Sequence, residues 1–195
     1  MGRYGKTTFC YRYMLNAPGV ACRFIFDDRG QAAQRLKIKP ARTEKDCEAA
    51  LASRWVCFDP HFMFPAAKLA DGLRWFCDWS YRVSGRGKGE KVIYLDELWQ
   101  WVDSRNAPPD EIQTIVRTGS FHGLQFLAST HSPVEFHRDI RRLVTEWVCF
   151  RMEEPGDLDA VRPYFAGVDA VTTLPRYHYI AYDRETKEQM AAQIP

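Results

Sequence analysis

A short apolar run that ends in two carboxylates constrains the fold of this 195-residue chain more than any other feature. Residues 92–95 (VIYL) are almost entirely apolar, and Asp96 and Glu97 follow directly. An extended segment with apolar side chains on both faces must be covered on both sides, which is typical of parallel sheets connected by helices. The run therefore predicts a buried strand in an α/β protein, with its carboxylates at one edge of the sheet.

The rest of the chain alternates between short apolar runs and amphipathic segments, as such a sheet requires. Further strands are predicted at 20–26, 55–58, 124–129 and 146–152, with a late edge strand or hairpin at 177–182. Helices are predicted at 9–15, 31–36, 44–52, 66–83, 111–118 and 136–144. Strands separated by helices imply right-handed crossovers. We therefore expect one α/β domain over residues 1–195, with a mostly parallel sheet and helices on both faces.

The bulk composition excludes several classes of protein. The 27 basic and 25 acidic residues give a formal net charge of +2, so any contact with nucleic acid must use a local patch rather than a histone-like excess of charge. No apolar run approaches the roughly 20 residues of a membrane span, and the opening residues lack the apolar core of a signal peptide. The six cysteines form no C-x-x-C pair and are interpreted as buried, reduced thiols. We expect a soluble protein.

A phosphate-binding motif opens the sequence. Residues 5–8 (GKTT) match the end of the P-loop pattern G-x-x-x-x-G-K-[ST]. In that pattern glycine lets backbone N–H groups curl around a phosphate, lysine reaches the β- and γ-phosphates, and the hydroxyl ligates Mg²⁺. The helix predicted at 9–15 would add the positive end of its dipole. The motif predicts a site for ATP and Mg²⁺ formed by Gly2, Gly5, Lys6, Thr7 and Thr8, with Thr7 as a metal ligand.

The motif is incomplete at its beginning. Its first glycine would stand one position ahead of Met1, and the strand that normally feeds the loop is missing from the sequence. Two hypotheses stay open, namely that Met1 is an internal residue of a longer natural chain or that the GKTT match is a coincidence. A second glycine-rich stretch at 85–89 leads into a strand rather than a helix, and we interpret it as a solvated loop.

The carboxylates after the apolar strand supply the other half of an ATP site. Asp96, at the end of the buried strand, would reach the shell of the Mg²⁺ ion, and Glu97 would polarise the water that attacks the γ-phosphate. The simpler interpretation is a strand whose polar end merely reaches solvent. The two motifs occur in the order and spacing of P-loop ATPases, which favours the functional interpretation.

A further strand with a polar end carries a resemblance to a known family. Residues 123–133 (GLQFLASTHSP) resemble the G-h-x-h-h-h-A-T-Q-x-P segment of the FtsK–HerA superfamily of hexameric DNA-pumping ATPases. Residues 23–30 (RFIFDDRG) are similar to the second strand of these families and its acidic end. Residues 117–150 also look like the matching stretch of Zot-type filamentous-phage assembly ATPases. The small size and the lack of a membrane segment look most like genome-packaging ATPases of tailless, internal-membrane double-stranded DNA viruses.

The resemblance implies a RecA-like P-loop NTPase that uses ATP and Mg²⁺ to translocate double-stranded DNA as a homo-hexameric ring. It also implies a location in the host cytoplasm or on the virion, and partners at a capsid vertex or among membrane-associated packaging proteins. The alternatives are a Zot-like assembly ATPase and a degenerate P-loop module that binds partners without hydrolysis.

Two family positions differ in this chain. His131 stands where the family has a glutamine that senses the γ-phosphate, and imidazole can still donate a hydrogen bond but changes its charge near neutral pH. The arginine-finger position is occupied by Ser120. Arg117, one helical turn earlier on the same face, is therefore the candidate finger. Further candidates for that role are Arg141, Arg142 and Arg151.

Overall fold

Four parallel strands form the sheet that the apolar runs predict. The computed structural model describes residues 5–102 and 105–194. The strands are β1 (Val20–Phe26), β2 (Trp55–Phe58), β3 (Glu90–Leu95) and β4 (Leu124–Ala128), in the spatial order β2-β1-β3-β4. In the register of the sheet Leu95 pairs with Phe26 on one side and with Ala128 on the other. The polar residues that follow β1, β3 and β4 therefore begin at the same level of one edge.

Helices cover both faces of this sheet, as the doubly apolar strands require. The helices are α1 (Lys6–Asn16), α2 (Gln31–Leu36), α3 (Glu44–Ala50), α4 (Leu69–Ser84), α5 (Asp110–Thr118), α6 (Arg138–Leu143) and α7 (Pro155–Val161). On one face α4 and α5 pack against Phe24 and Ile93. On the other face α1 packs against Ile25 and Tyr94. Consecutive apolar residues of the strands thus enter different cores on opposite faces of the sheet.

A second, antiparallel sheet corrects the expectation of a fifth strand at 146–152. The strand β5 (Glu146–Cys149) ends earlier and pairs with β6 (His178–Asp183), which pairs in turn with β7 (Gln189–Gln193). Side chains of β5 and β6 share a small core of their own with α7 and the segment after it. β5 is therefore part of a separate three-stranded layer. The edge strand or hairpin expected at 177–182 corresponds to β6, and β7 was not predicted.

The remaining predicted elements are confirmed, with small shifts at their ends. α1 begins three residues earlier than predicted, directly after Gly5. α6 begins at Arg138 because Pro133–Glu135 forms a 3₁₀ turn and the His137 ring accepts a hydrogen bond from the Asp139 N–H. α7 was not predicted, although its Pro155 occupies a first-turn position that favours a helix start. Across the described ranges no helix combines the length and the apolar character that crossing a bilayer demands.

Candidate active site

Most of the predicted site residues that the structure describes lie at the carboxyl edge of the parallel sheet. A small cavity there is lined by the acidic ends of β1 and β3, including Asp28, Asp96 and Glu97. A wider cleft of about 190 Å³ beside it is lined by Lys6 and His131, among others. We call residues 5–8 and the start of α1 the loop half of the site. We call Asp96, Glu97 and the side chains that hydrogen-bond to them the acidic half.

The loop half begins at a glycine that no other residue replaces without strain. Gly5 caps α1 with φ 105° and ψ 0°, a region that residues with a Cβ rarely adopt. A Cβ at this position would lie 2.6 Å from Ile194 Cδ1 and 3.0 Å from Tyr177 Cδ1. The first turn of α1 contains no acidic side chain, so the partial positive charge of its N–H groups is left for an anion.

The other predicted phosphate-binding residues follow in the same turn. Lys6, Thr7 and Thr8 are half-buried at the start of α1, and Lys6 lines the wider cleft. Gly2 lies outside the described residues. β4 and β5 both line this cleft, and within the described residues β4 pairs only with β3 and β5 only with β6.

Asp96 is fixed by two hydroxyl groups. The Tyr94 hydroxyl donates to its Oδ1 at 2.8 Å, and the Ser129 hydroxyl donates to the same oxygen. Burial, with the nearby Cys10 thiol and Asp96 carboxyl adding to it, raises the pKa of Tyr94 well above its ordinary value, so the phenol stays a donor. Because both donors use Oδ1, Oδ2 is the oxygen that suits a cation.

Glu97 is fixed on both its backbone and its side chain. Its N–H donates to the Ser129 hydroxyl oxygen at 3.2 Å, and its backbone adopts the left-handed conformation, φ 49° and ψ 50°. On the side chain, Oε2 lies 2.8 Å from His131 Nδ1 and accepts a hydrogen bond from the Trp99 indole N–H, also at 2.8 Å. Trp99 belongs to no motif that would assign it from the sequence, and its place two residues after the acidic pair is the only signal.

Cys10 shows that the two halves belong to one site. It lies on α1 and packs in the same core as Tyr94 of β3, and the neighbouring Tyr11 meets the Tyr94 ring edge to face, with centroids 5.9 Å apart. Burial raises the pKa of Cys10 to about 12. The helix that carries GKTT and the strand that carries the acidic pair are thus in direct contact.

Arg117 lies apart from the site. It is exposed in the last turn of α5 and lines neither the small cavity nor the cleft. Arg141 donates to the backbone oxygens of Pro133 and Ala160, an arrangement that serves packing. Arg151 lines the cleft that also contains Lys6. Arg142 is exposed as well, lines neither cavity, and lies 4.0 Å from Asp139 Oδ1. Of these candidates, Arg117 and Arg142 are thus exposed away from their own chain's site, as a residue acting on a neighbouring subunit has to be.

The donor groups present suit a nucleotide with Mg²⁺. Magnesium favours one or two carboxylates together with phosphate and water oxygens, and Asp96 Oδ2 with the Thr7 hydroxyl provides such a partial set. No group of three or more His, Cys, Asp or Glu side chains that would hold a metal without other ligands occurs in the ranges that the structure describes. The residues therefore fit an ion that binds together with its nucleotide.

A parallel sheet with helices on both faces, a helix that begins inside G-K-T-T and an acidic pair at the end of a neighbouring strand define the P-loop NTPase fold. No protein-family model matches the sequence, and no curated protein sequence matches it. Solved structures match the fold. The genome packaging NTPase B204 from Sulfolobus turreted icosahedral virus 2, in complex with ATP-γ-S, has a TM-score of 0.78 at 16% identity, over 99% of this chain and 92% of that chain.

Two further structures are similar at a lower level. VirB4 of Thermoanaerobacter pseudethanolicus has a TM-score of 0.55 at 15% identity, over 73% of this chain and 41% of that one. The N-terminal domain of zonular occludens toxin from Neisseria meningitidis has a TM-score of 0.52 at 11% identity, over 100% and 90%. The fold expected from the sequence, a parallel sheet with helices on both faces, is thus confirmed by solved structures.

Proposed function

We propose that this protein hydrolyses ATP and uses the energy to translocate or package double-stranded DNA. The observation that carries the proposal is a cleft lined by Lys6, Ser129 and His131, in which Ser129 bonds Asp96 and His131 bonds Glu97, in a fold that resembles a viral genome packaging NTPase. Structures of that NTPase contain ATP-γ-S, AMP and AMPPCP. A Zot-like assembly role has weaker support, because the Zot domain matches with a TM-score of 0.52 rather than 0.78.

The loop half would bind the triphosphate. The Lys6 ammonium would neutralise charge on the β- and γ-phosphates, and the backbone N–H groups that follow Gly2 and Gly5, including those of Thr7 and Thr8, would surround them. The Thr7 hydroxyl and Asp96 would hold Mg²⁺, which draws charge from the phosphate oxygens when bound. Tyr94 and Ser129 keep Asp96 in place for that contact.

The acidic half would perform the proton transfer. Glu97 would accept a proton from the water that attacks the γ-phosphate. His131 would contact a γ-phosphate oxygen through Nε2, because its Nδ1 is engaged with Glu97. A neutral imidazole that donates from Nδ1 only accepts at Nε2, so a donor role toward phosphate requires the cationic ring. In this respect His131 differs from the neutral glutamine of the resembling family.

The site would be completed by a neighbouring subunit of a homo-hexameric ring. Arg117 is exposed at the end of α5, close in sequence to Phe121, whose side chain is 83% exposed. An arginine supplied in trans stabilises charge on the transferred phosphoryl group and is worth about 10³–10⁵ in rate. The whole chain would act as a single ATPase domain, in the host cytoplasm or on the virion, with double-stranded DNA and packaging proteins at a vertex or membrane as partners.

DNA-stimulated ATP hydrolysis tests the proposal. We expect double-stranded DNA to raise the turnover of the wild-type protein and the stimulation to fade between low and physiological salt, since phosphate contacts release counterions. The Lys6→Ala variant serves as the blank. Absence of stimulation at every salt concentration contradicts a translocase, while hydrolysis at the wild-type rate in Lys6→Ala contradicts the site itself.

The trans arginine is tested by mixing inactive subunits. Arg117→Ala and Glu97→Gln should each be inactive alone, and their mixture should regain activity because an Arg117→Ala subunit keeps its Glu97 and receives a neighbour's arginine. Arg138→Ala, which removes another exposed arginine, is the matched control and should hydrolyse ATP normally. A mixture no more active than its parts excludes Arg117 as the finger.

A further inference from the structure

The side chains of Glu97, Trp99 and His131 all contact one another. Trp99 and His131 both contact Oε2 of Glu97 at 2.8 Å, and the two rings also meet each other edge to face, with centroids 4.8 Å apart and planes at 81°. Each member therefore touches the other two. Among the described residues, the hydrogen bonds made by this carboxylate both end on Oε2, which leaves Oε1 as the oxygen that can accept a proton from water.

The two partners of Glu97 differ in what they can do during a reaction. Imidazole has two nitrogens, exchanges protons, and is 38% exposed here, so His131 is able to engage a second ligand. The indole N–H is a donor only and does not titrate in water. A contact between Trp99 and Glu97 therefore persists in every protonation state, including when the histidine turns toward a phosphate.

We propose that Trp99 is a positioning residue for the general base, holding Oε2 of Glu97 through its indole N–H so that Oε1 stays on the attacking water. The inference rests on the proposed function of Glu97 and deepens it. The backbone of Glu97 adopts the left-handed conformation, which is uncommon for residues other than glycine.

Trp101 provides a matched control on the same turn. It lies two residues beyond Trp99 and packs edge-on against Phe26, with ring centroids 5.5 Å apart, as part of the main core. Trp99→Phe and Trp101→Phe make the same chemical change, and each keeps an aromatic ring. Only the first removes a hydrogen bond to Glu97.

The experiment compares the two variants in the full chain. For each we would measure kcat for ATP hydrolysis, equilibrium affinity for ATP and for ADP, and the melting temperature. Trp99→Phe should lower kcat about 10- to 100-fold, the size expected when a reacting group is misplaced by about 1 Å. It should leave both affinities within twofold, and Trp101→Phe should leave kcat within twofold. An equal loss of kcat in both variants, or none in Trp99→Phe, overturns the proposal.

A double-mutant cycle separates positioning from a general structural effect. If Trp99 acts only through Glu97, adding Trp99→Phe to Glu97→Gln should not lower the single-turnover rate any further. A further loss of tenfold or more in the double variant overturns the proposal. The proposed function fails separately, through a wild-type rate in Glu97→Gln alone, whereas an inactive Glu97→Gln with a fully active Trp99→Phe rejects only the positioning role.

Discussion

Polar contacts hold the acidic half of the site, whereas apolar contacts hold the loop half. Around Asp96 and Glu97 the neighbours are hydroxyl, indole and imidazole groups at hydrogen-bond distance. Around the start of α1 they are aromatic and aliphatic: the Phe9 ring lies 4.9 Å from that of Tyr179 and 6.1 Å from that of Phe150, and Ile194 closes over Gly5.

The difference teaches which changes should affect chemistry and which should affect folding. Hydrogen bonds fix direction, so loss of a donor in the acidic half should slow the reaction while the fold persists. Apolar packing fixes position because side chains fill the space between elements, so changes in the loop half should lower the free energy of unfolding. The second sheet supplies Tyr179 and the segments that pack on Gly5, which ties the antiparallel layer to the phosphate-binding turn.

The largest effect is expected for Lys6, to which the proposed function gives a chemical rather than a packing role in the loop half. Lys6→Ala removes the ammonium that would face the β- and γ-phosphates, and we expect hydrolysis to fall by about 10³-fold or more. Circular dichroism and the melting temperature should stay those of the wild type, because the side chain is only half-buried. Wild-type activity in this variant would mean that the GKTT segment is not part of the ATP site.

A large effect on stability is expected at Gly5. Gly5→Ala puts a Cβ at φ 105° and within 2.6 Å of Ile194 Cδ1, so we expect the free energy of unfolding to fall by about 1–3 kcal/mol. Gly19→Ala is the control, since Gly19 also has a positive φ, 76°, but its Cβ meets open space. Urea denaturation of the two variants measures the difference. Equal stability would mean that the second sheet does not pack on the loop as described.

A moderate effect on cation dependence is expected at Tyr94, in the acidic half. Tyr94→Phe leaves Asp96 with the Ser129 hydroxyl alone, and loss of such a supporting partner costs about tenfold in metal affinity. The Mg²⁺ concentration for half-maximal activity should rise accordingly. Tyr81→Phe removes a hydroxyl that is hydrogen-bonded to Thr118, outside the site, and should leave this Mg²⁺ concentration unchanged. Equal Mg²⁺ curves would remove Tyr94 from the site.

The smallest effect concerns the contact between the halves. Burial raises the pKa of Cys10, between the halves, and of Cys149, in the second sheet, to about 12. At pH 8 the thiolate fraction of each should be about three orders of magnitude below that of a free cysteine. We expect neither to react with a thiol reagent in the folded protein, and both to react in urea. Selective labelling of Cys10 in the folded chain would mean that the halves separate readily.

The parallel sheet was predictable from the sequence because its strands are apolar on both faces. Residues 20–26 and 55–58 are strands with the predicted ends, since turn-forming residues flank them. The sheet to which the strand at 146–149 belongs was not predictable. An apolar run indicates burial but not the partner, and here the partner is β6, about 30 residues further along the chain.

Site residues that belong to a motif were predictable from the sequence. Residues that enter the site only through tertiary contacts were not. The positions of Lys6, Asp96 and Glu97 followed from spacing, and the structure brings their elements together. Tyr94 was missed as a site residue because a phenol in an apolar run usually indicates packing. For Trp99 the sequence left open packing under the site or a place at an intersubunit face, and its hydrogen bond to Glu97 was not predicted. Their hydrogen bonds to the acidic pair depend on side-chain direction, which spacing alone does not specify. The roles of these residues in catalysis stay predictions.

Hydrolysis of ATP by Glu97→Gln in a single turnover tests the central claim most directly. The amide keeps the shape of the side chain but cannot take a proton from water. We expect the variant to bind ATP with wild-type affinity and to hydrolyse it at least about 100-fold more slowly. A wild-type rate, or loss of ATP binding together with activity, would contradict the assignment of Glu97 as the base of an ATP-driven motor.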